Sequence, residues 1–127
     1  MINVPISAGE LLDKISILRI KKERLNDATK RTNVVRELEL LESIALTQLA
    51  GKGDYSALFA DLLAVNAKLW DIEEGKRDCE RRRVFGHEFI ALARAVYLEN
   101  DHRARLKRAL NEMLGSEIVE EKSYAAY

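Results

Sequence analysis

Residues 66–83 read NAKLWDIEEGKRDCERRR and hold the chain's only tryptophan, Trp70, its only cysteine, Cys79, and its densest charge. On a helical wheel at about 100° per residue, Phe59, Leu62, Leu69 and Trp70 define one apolar stripe, and Asn66, Glu73, Arg77 and Glu80 fall within it. The period is that of a helix. The polar groups along its apolar side need partners, water or a ligand, because burying an unpaired neutral polar group costs roughly 2–7 kcal/mol and a charge costs more.

Punctuation on both sides delimits this helix. Ala50-Gly51-Lys52-Gly53-Asp54 precedes it, with Asp54 or Ser56 available as a cap, and Val84-Phe85-Gly86 breaks the pattern after Arg83. Upstream, Ser7-Ala8-Gly9-Glu10 fits a capping box and Ile6 and Leu11 a hydrophobic staple, which starts a first helix over roughly Ala8 to Leu25. Leu11, Ile15, Leu18 and Leu25 form its stripe, with Lys14 and Lys22 in or beside it and Ile17 and Ile20 elsewhere on the wheel. So wide an apolar surface implies cover on more than one side, from the bundle or from a second subunit, and a dimer is expected. After the polar turn Asn26-Asp27-Ala28-Thr29, a second helix carries Val34, Leu38, Leu41, Ala45 and Leu49.

Beyond Gly86, Phe89, Leu92, Val96 and Tyr97 lead to Asn100-Asp101 and then to Leu106, Leu110 and Met113. A break or kink at Asn100-Asp101 is the expectation. The alternative is one long helix, since Phe89, Val96, Arg103 and Leu110 stand seven apart, as do Leu92, Glu99, Leu106 and Met113. Gly115 is a helix stop, and the segment from Ser116 to Tyr127 either lies across the bundle or pairs with the extended lead-in around Pro5. The expected architecture is all-α, a single-domain bundle of four to five helices with short extended N- and C-terminal segments.

A chain of 127 residues is one domain in size, and 21 basic against 21 acidic side chains leave no net charge to hold nucleic acid or an anionic membrane. The lone Cys79 excludes an intramolecular disulfide and suits a reducing compartment. The first residues lack a signal-peptide pattern and no apolar run reaches the roughly 18 residues of a membrane span, so a cytoplasmic location is expected. No cofactor is implied: P-loop and dinucleotide fingerprints are missing, and Gly51-Lys52-Gly53 needs only to turn the chain. His87 and His102 stand 15 apart without a ligand four residues away, so no metal site is expected, and each is read as a turn or first-turn residue. Cys79 has no histidine near it in sequence and is expected to be an inert, partly buried thiol. The basic runs Arg19 to Arg24, Arg81 to Arg83 and Arg103 to Arg108 are interleaved with Glu23, Glu80 and Glu112; they would bind nucleic acid only if they converged on one side.

The sharpest constellation is Asn66, Glu73 and Arg77 with Glu80 and Trp70 on one stripe, joined by Lys14 or Lys22 from the first helix and Arg103 from the last. Either these groups satisfy one another as an internal ion-pair network, which is the expectation, or they line a pocket for a small anionic ligand held by Arg77 and a lysine.

The segments VPISAGELLDKISILRIKKERL, LWDIEEGKRDCE, FIALARAVYLENDHRARLKRALNEML and EEKSY together resemble a family of short bacterial proteins classed as a domain of unknown function. The resemblance spans nearly the whole chain and implies an all-helical fold without a known activity. It also implies a link to cell-surface polysaccharide synthesis, and the expected role is that of a binding, scaffolding or accessory module with a protein partner. The first helix, through Leu12-Asp13, Ile15, Leu18 and Arg24, is similar to that of helical chorismate mutases, intertwined dimers that hold a dicarboxylate with Arg and Lys. That likeness covers one helix and implies the alternative of a small enzyme.

Overall fold

The computed structural model describes residues 1–127 and contains four helices, α1 (Ala8–Arg24), α2 (Ala28–Gln48), α3 (Ser56–Arg82) and α4 (His87–Met113), with no strand. The Ser7 hydroxyl accepts the Glu10 N–H at 3.1 Å and starts α1 as the capping-box pattern requires. The reciprocal half is not made. The Glu10 carboxylate instead takes Lys107 at 2.8 Å and Lys14 at 3.7 Å, because two cations offer more than one backbone N–H. Asp27 caps α2 through the Lys30 N–H, and Asp54 accepts from both the N–H and the hydroxyl of Ser56 at the head of α3. At the other end of α3, Arg83 takes the left-handed conformation, and the Val84 N–H returns to the Cys79 carbonyl at 2.9 Å.

The expected break at Asn100-Asp101 does not occur. Asn and Asp each cost only up to about 0.7 kcal/mol of helix propensity, and packing against α1 and α3 overrides that. The seven-residue pattern runs on through α4, with Phe89, Leu92, Val96, Glu99 and Arg103 partly buried and Leu106 and Leu110 buried. His102 is accordingly a mid-helix surface residue and not a turn residue.

Helix α1 touches all three other helices, α3 and α4 pack along each other, and α2 packs on α1 alone. Three elements of the same chain thus cover the wide apolar surface of α1, and no second subunit is needed there. The core joins Leu11, Leu12, Ile15 and Leu18 of α1 with Val34, Leu38 and Ala45 of α2, Leu62 and Val65 of α3, and Leu106 and Leu110 of α4. Two close approaches fix the packing. A Cβ on Gly9 would lie 2.5 Å from the Lys107 carbonyl oxygen, so only glycine lets α1 cross α4 there, and one on Gly75 would lie 3.1 Å from a Leu92 methyl.

The antiparallel pair α3–α4 outruns α1. Each has 27 residues, roughly 40 Å, against 17 residues and about 25 Å for α1. Alongside α3, α1 ends where Arg24 pairs with Asp71 at 2.6 Å. Past that point, residues 72–82 of α3 and 87–95 of α4 form a two-helix arm whose buried side chains are Ile72 and Cys79. The segment 116–127 returns along α4 and does not pair with the lead-in: Glu120 meets Lys107, Glu121 meets Arg108, and the Tyr127 ring lies 5.1 Å from that of Tyr97.

Candidate functional site

The polar centre of the bundle is built on Asp13, which is 1% exposed. Asn66 of α3 donates its Nδ2 to Asp13 Oδ1 at 2.8 Å and to the Ser16 hydroxyl at 2.7 Å; that hydroxyl in turn donates to the Asp13 carbonyl at 2.7 Å. Arg103 of α4 closes the group with a two-point clamp, Nε to Asp13 Oδ1 at 2.9 Å and Nη2 to Oδ2. One turn on, Lys107 places its ammonium 2.8 Å from Glu10, 2.7 Å from Glu120 and 3.9 Å from Asp13. Hydrogen bonding to Asp13 raises the already high basicity of Arg103. Burial pulls the Lys107 ammonium down, but hydrogen bonds to Glu10 and Glu120 outweigh it and the net direction is upward; the same bond lowers the Glu120 carboxyl.

Two cavities flank Arg103. One, of about 370 Å³, lies between α1, α3 and α4, with Ile17, Ile20, Leu69, Trp70 and Val96 as apolar walls and Asn66, Glu73, Glu74, Asn100 and Arg103 as polar lining. The other, of about 420 Å³, lies between α4 and segment 116–127. In the first, Arg103 is committed to Asp13 and the other charged lining groups are Glu73 and Glu74, so the cavity presents no free cation to an anion.

Of the residues expected to act together, Asn66, Trp70, Glu73 and Arg103 line this first cavity, and Asn66 and Arg103 meet through Asp13. The others do not join them. Arg77 and Glu80 are exposed on the arm, Glu73 pairs outward with Lys76 at 3.0 Å, Lys14 is an exposed partner of Glu10, and Lys22 is exposed. The expected ion-pair network of Glu73 with Arg77 is therefore replaced by one centred on Asp13. Arg77 and Glu80 lie on the exposed side of the two-helix arm, so neither has to be paired internally.

The sequence reading missed Asp13, Ser16, Glu10, Lys107 and Glu120. A signal existed: Asp13, Ser16, Ile17 and Ile20 are spaced i, i+3, i+4, i+7 and share a face of α1. Glu99 and His102 also stand three apart, with Nδ1 3.9 Å from Oε2, but Glu99 is taken by Lys68 at 2.6 Å and no three potential ligands converge on a metal position. Most of the basic runs are tied to acids: Arg19 to Glu42, Arg24 to Asp71, Arg82 to Asp78 and Glu88, and Arg108 to Glu121. No helix is long and apolar enough to cross a membrane.

Fold and site together define an all-helical bundle in which an inward-facing aspartate ties three helices. The chain matches the family of unknown function DUF6165 over residues 2–127 and belongs to it. Comparison with curated proteins and with solved structures gave no match.

Proposed function

We propose that the chain is a helical binding module that associates with a second copy of itself through the α3–α4 arm, leaving its remaining surface for a protein partner. One observation carries this reading: the arm, its hairpin turn and the next turn of α4 leave large apolar side chains only half covered. Phe85 is 49% exposed, Ile90 52% and Leu98 45%, and Ile90, Arg94 and Leu98 occupy successive turns of one face of α4. A two-helix hairpin covers each helix on one side only, and a second hairpin completes it as a four-helix unit. The zero net charge puts no long-range repulsion between copies. An accessory role near surface-polysaccharide synthesis and a cytoplasmic location belong to the same proposal; the free, fully buried Cys79 is consistent with a reducing compartment.

Sedimentation of the wild-type chain over a wide concentration range tests it. A concentration-dependent dimer is expected, and Ile90→Lys with Leu98→Lys should be monomeric with unchanged helicity. A wild-type chain that remains a monomer at every concentration would remove the reading.

A further inference from the structure

Segment 116–127 is held against α4 by ion pairs and by Tyr127, whose ring lies 5.1 Å from that of Tyr97 and whose hydroxyl donates to Asp101 at 2.5 Å. Glu120 accepts from Lys107 at 2.7 Å, Glu121 from Arg108 at 3.2 Å, and Lys122 lies 3.5 Å from Asp101. Its apolar side chains add little burial, since Val119, the least exposed of them, is 41% exposed and Tyr124, the most exposed, is 85%. Ion pairs with exposed partners are individually weak, so the segment can leave α4 without disturbing the core. It also fails to fill the space it covers, and the cavity of about 420 Å³ remains beneath it.

Lys107 is not a surface lysine that happens to meet an acid. Its side chain is 11% exposed, and of its two close acceptors Glu10 belongs to the packed helix α1 while Glu120 belongs to the detachable segment. An ammonium has three donors and no acceptor, so departure of Glu120 leaves Lys107 with Glu10 as its one close carboxylate and a donor turned to the vacated space. An incoming anion restores that contact.

We infer that Lys107 and the cavity under segment 116–127 form a binding site for a small organic carboxylate, whose carboxylate position Glu120 fills in the free protein. The ligand class follows from the surroundings. A carboxylate is what Lys107 already binds in that position. Val96, Tyr97 and Ala104 of α4, which stay in place when the segment leaves, suit a short apolar or aromatic body. A doubly charged phosphate is disfavoured, because Glu10 stands 2.8 Å from the same ammonium and Asp101 borders the cavity, while of the other lining cations Arg103 is spent on Asp13 and Lys122 belongs to the segment that leaves. Ligand and Glu120 compete for one position, so binding frees the segment. This site shares no residue with the arm.

The test is a titration of the full chain, and of Glu120→Gln and Lys107→Gln, with benzoate at neutral pH, followed by amide NMR shifts and backbone relaxation. Glu120→Gln should bind benzoate severalfold more tightly, Lys107→Gln severalfold more weakly, and saturating benzoate should move the 117–127 amide shifts to random-coil values with faster local motion in the unmodified chain while leaving α1 and α2 unchanged. If Lys107→Gln does not fold, Glu120→Gln and the relaxation measurement decide. Unchanged shifts and relaxation at 117–127, or no tightening in Glu120→Gln, overturns the site. Inorganic phosphate binding with the same response to Glu120→Gln overturns the carboxylate assignment.

Discussion

Asp13 shows how one residue can organise a small bundle. Its carboxylate receives α3 through Asn66 and α4 through Arg103, so a single side chain sets the register of three helices. Removing one member of such a pair leaves the other buried and uncompensated, at a cost of about 3–5 kcal/mol. Arg103→Met should therefore lower the stability measured by urea denaturation by that amount. Arg77→Met, at an exposed arm position with no ion pair, should change it by less than about 0.5 kcal/mol. The two glycines at helix contacts separate in the same way. Gly9→Ala drives a methyl into a backbone carbonyl that cannot move independently and displaces the Gly9 N–H from Asn111, so it should cost about 1–3 kcal/mol. Gly75→Ala meets only the end of the half-buried Leu92 side chain and recovers up to about 1 kcal/mol of helix propensity, so thermal melts should place it close to the wild type. The sequence marked Asn66 and Arg103 as partnered polar residues but not their common partner. Asp13 sits on the less apolar face of α1, where Ile17 and Ile20 are the sequence signal of burial and the tertiary arrangement supplies the partners.

At the scale of elements, helix starts and turns were legible because they rest on local chemistry: the Ser7 cap, the polar turn at 26–29, the glycines at 51 and 53, and the stop after Arg83. The buried line of α3 was not. A wheel at 100° per residue assumes a straight helix meeting a fixed partner, whereas α3 and α4 follow each other on a seven-residue repeat, whose seam drifts by about 20° per heptad. Leu62, Val65, Ile72 and Cys79 trace that seam, and by residues 73–80 it has rotated away from Glu73, Arg77 and Glu80, which the wheel had placed inside. The pattern around Asn100 misled for the opposite reason, since two weak local breakers cannot stop a helix whose flanks are both packed. Segment 116–127 has no periodicity to read, and its position follows from ion pairs. The Tyr127 hydroxyl lowers the Asp101 carboxyl, and the Lys107 ammonium lowers that of Glu120. Depressed carboxyls contribute attachment that is complete above their ordinary values of 3.8 and 4.5 and is lost as pH falls through the lowered ones. On the alkaline side, Asp101 raises the Tyr127 hydroxyl above its ordinary 10.0, so that contact is lost as pH rises through the raised value. Limited proteolysis at 117–127 should be slow near neutrality and faster with an acid-active protease below about pH 4, while α1 to α4 stay intact.

Over the whole molecule, burial is unevenly shared. The half of the bundle around Leu12, Leu62 and Leu110 has four helices about one core, while the arm has two helices with Ile72 and Cys79 buried between them. Free energies of local opening follow that distribution, so the arm should open well below the global unfolding free energy. Cys79, fully buried in the closed arm, reports the opening directly: a thiol reagent should modify it at a rate set by the arm, faster than global unfolding allows. Self-association through the arm adds a further requirement. A second copy that buries Phe85, Ile90 and Leu98 binds the closed arm and not the opened one, so it stabilises closure by mass action. Thiol modification of Cys79 and amide exchange over 76–82 and 87–95 should then slow as protein concentration rises, while exchange in α1 stays constant. In Ile90→Lys with Leu98→Lys the arm should exchange at one rate at every concentration. Equal behaviour of the wild type and this variant across the series would show that the arm closes on itself alone.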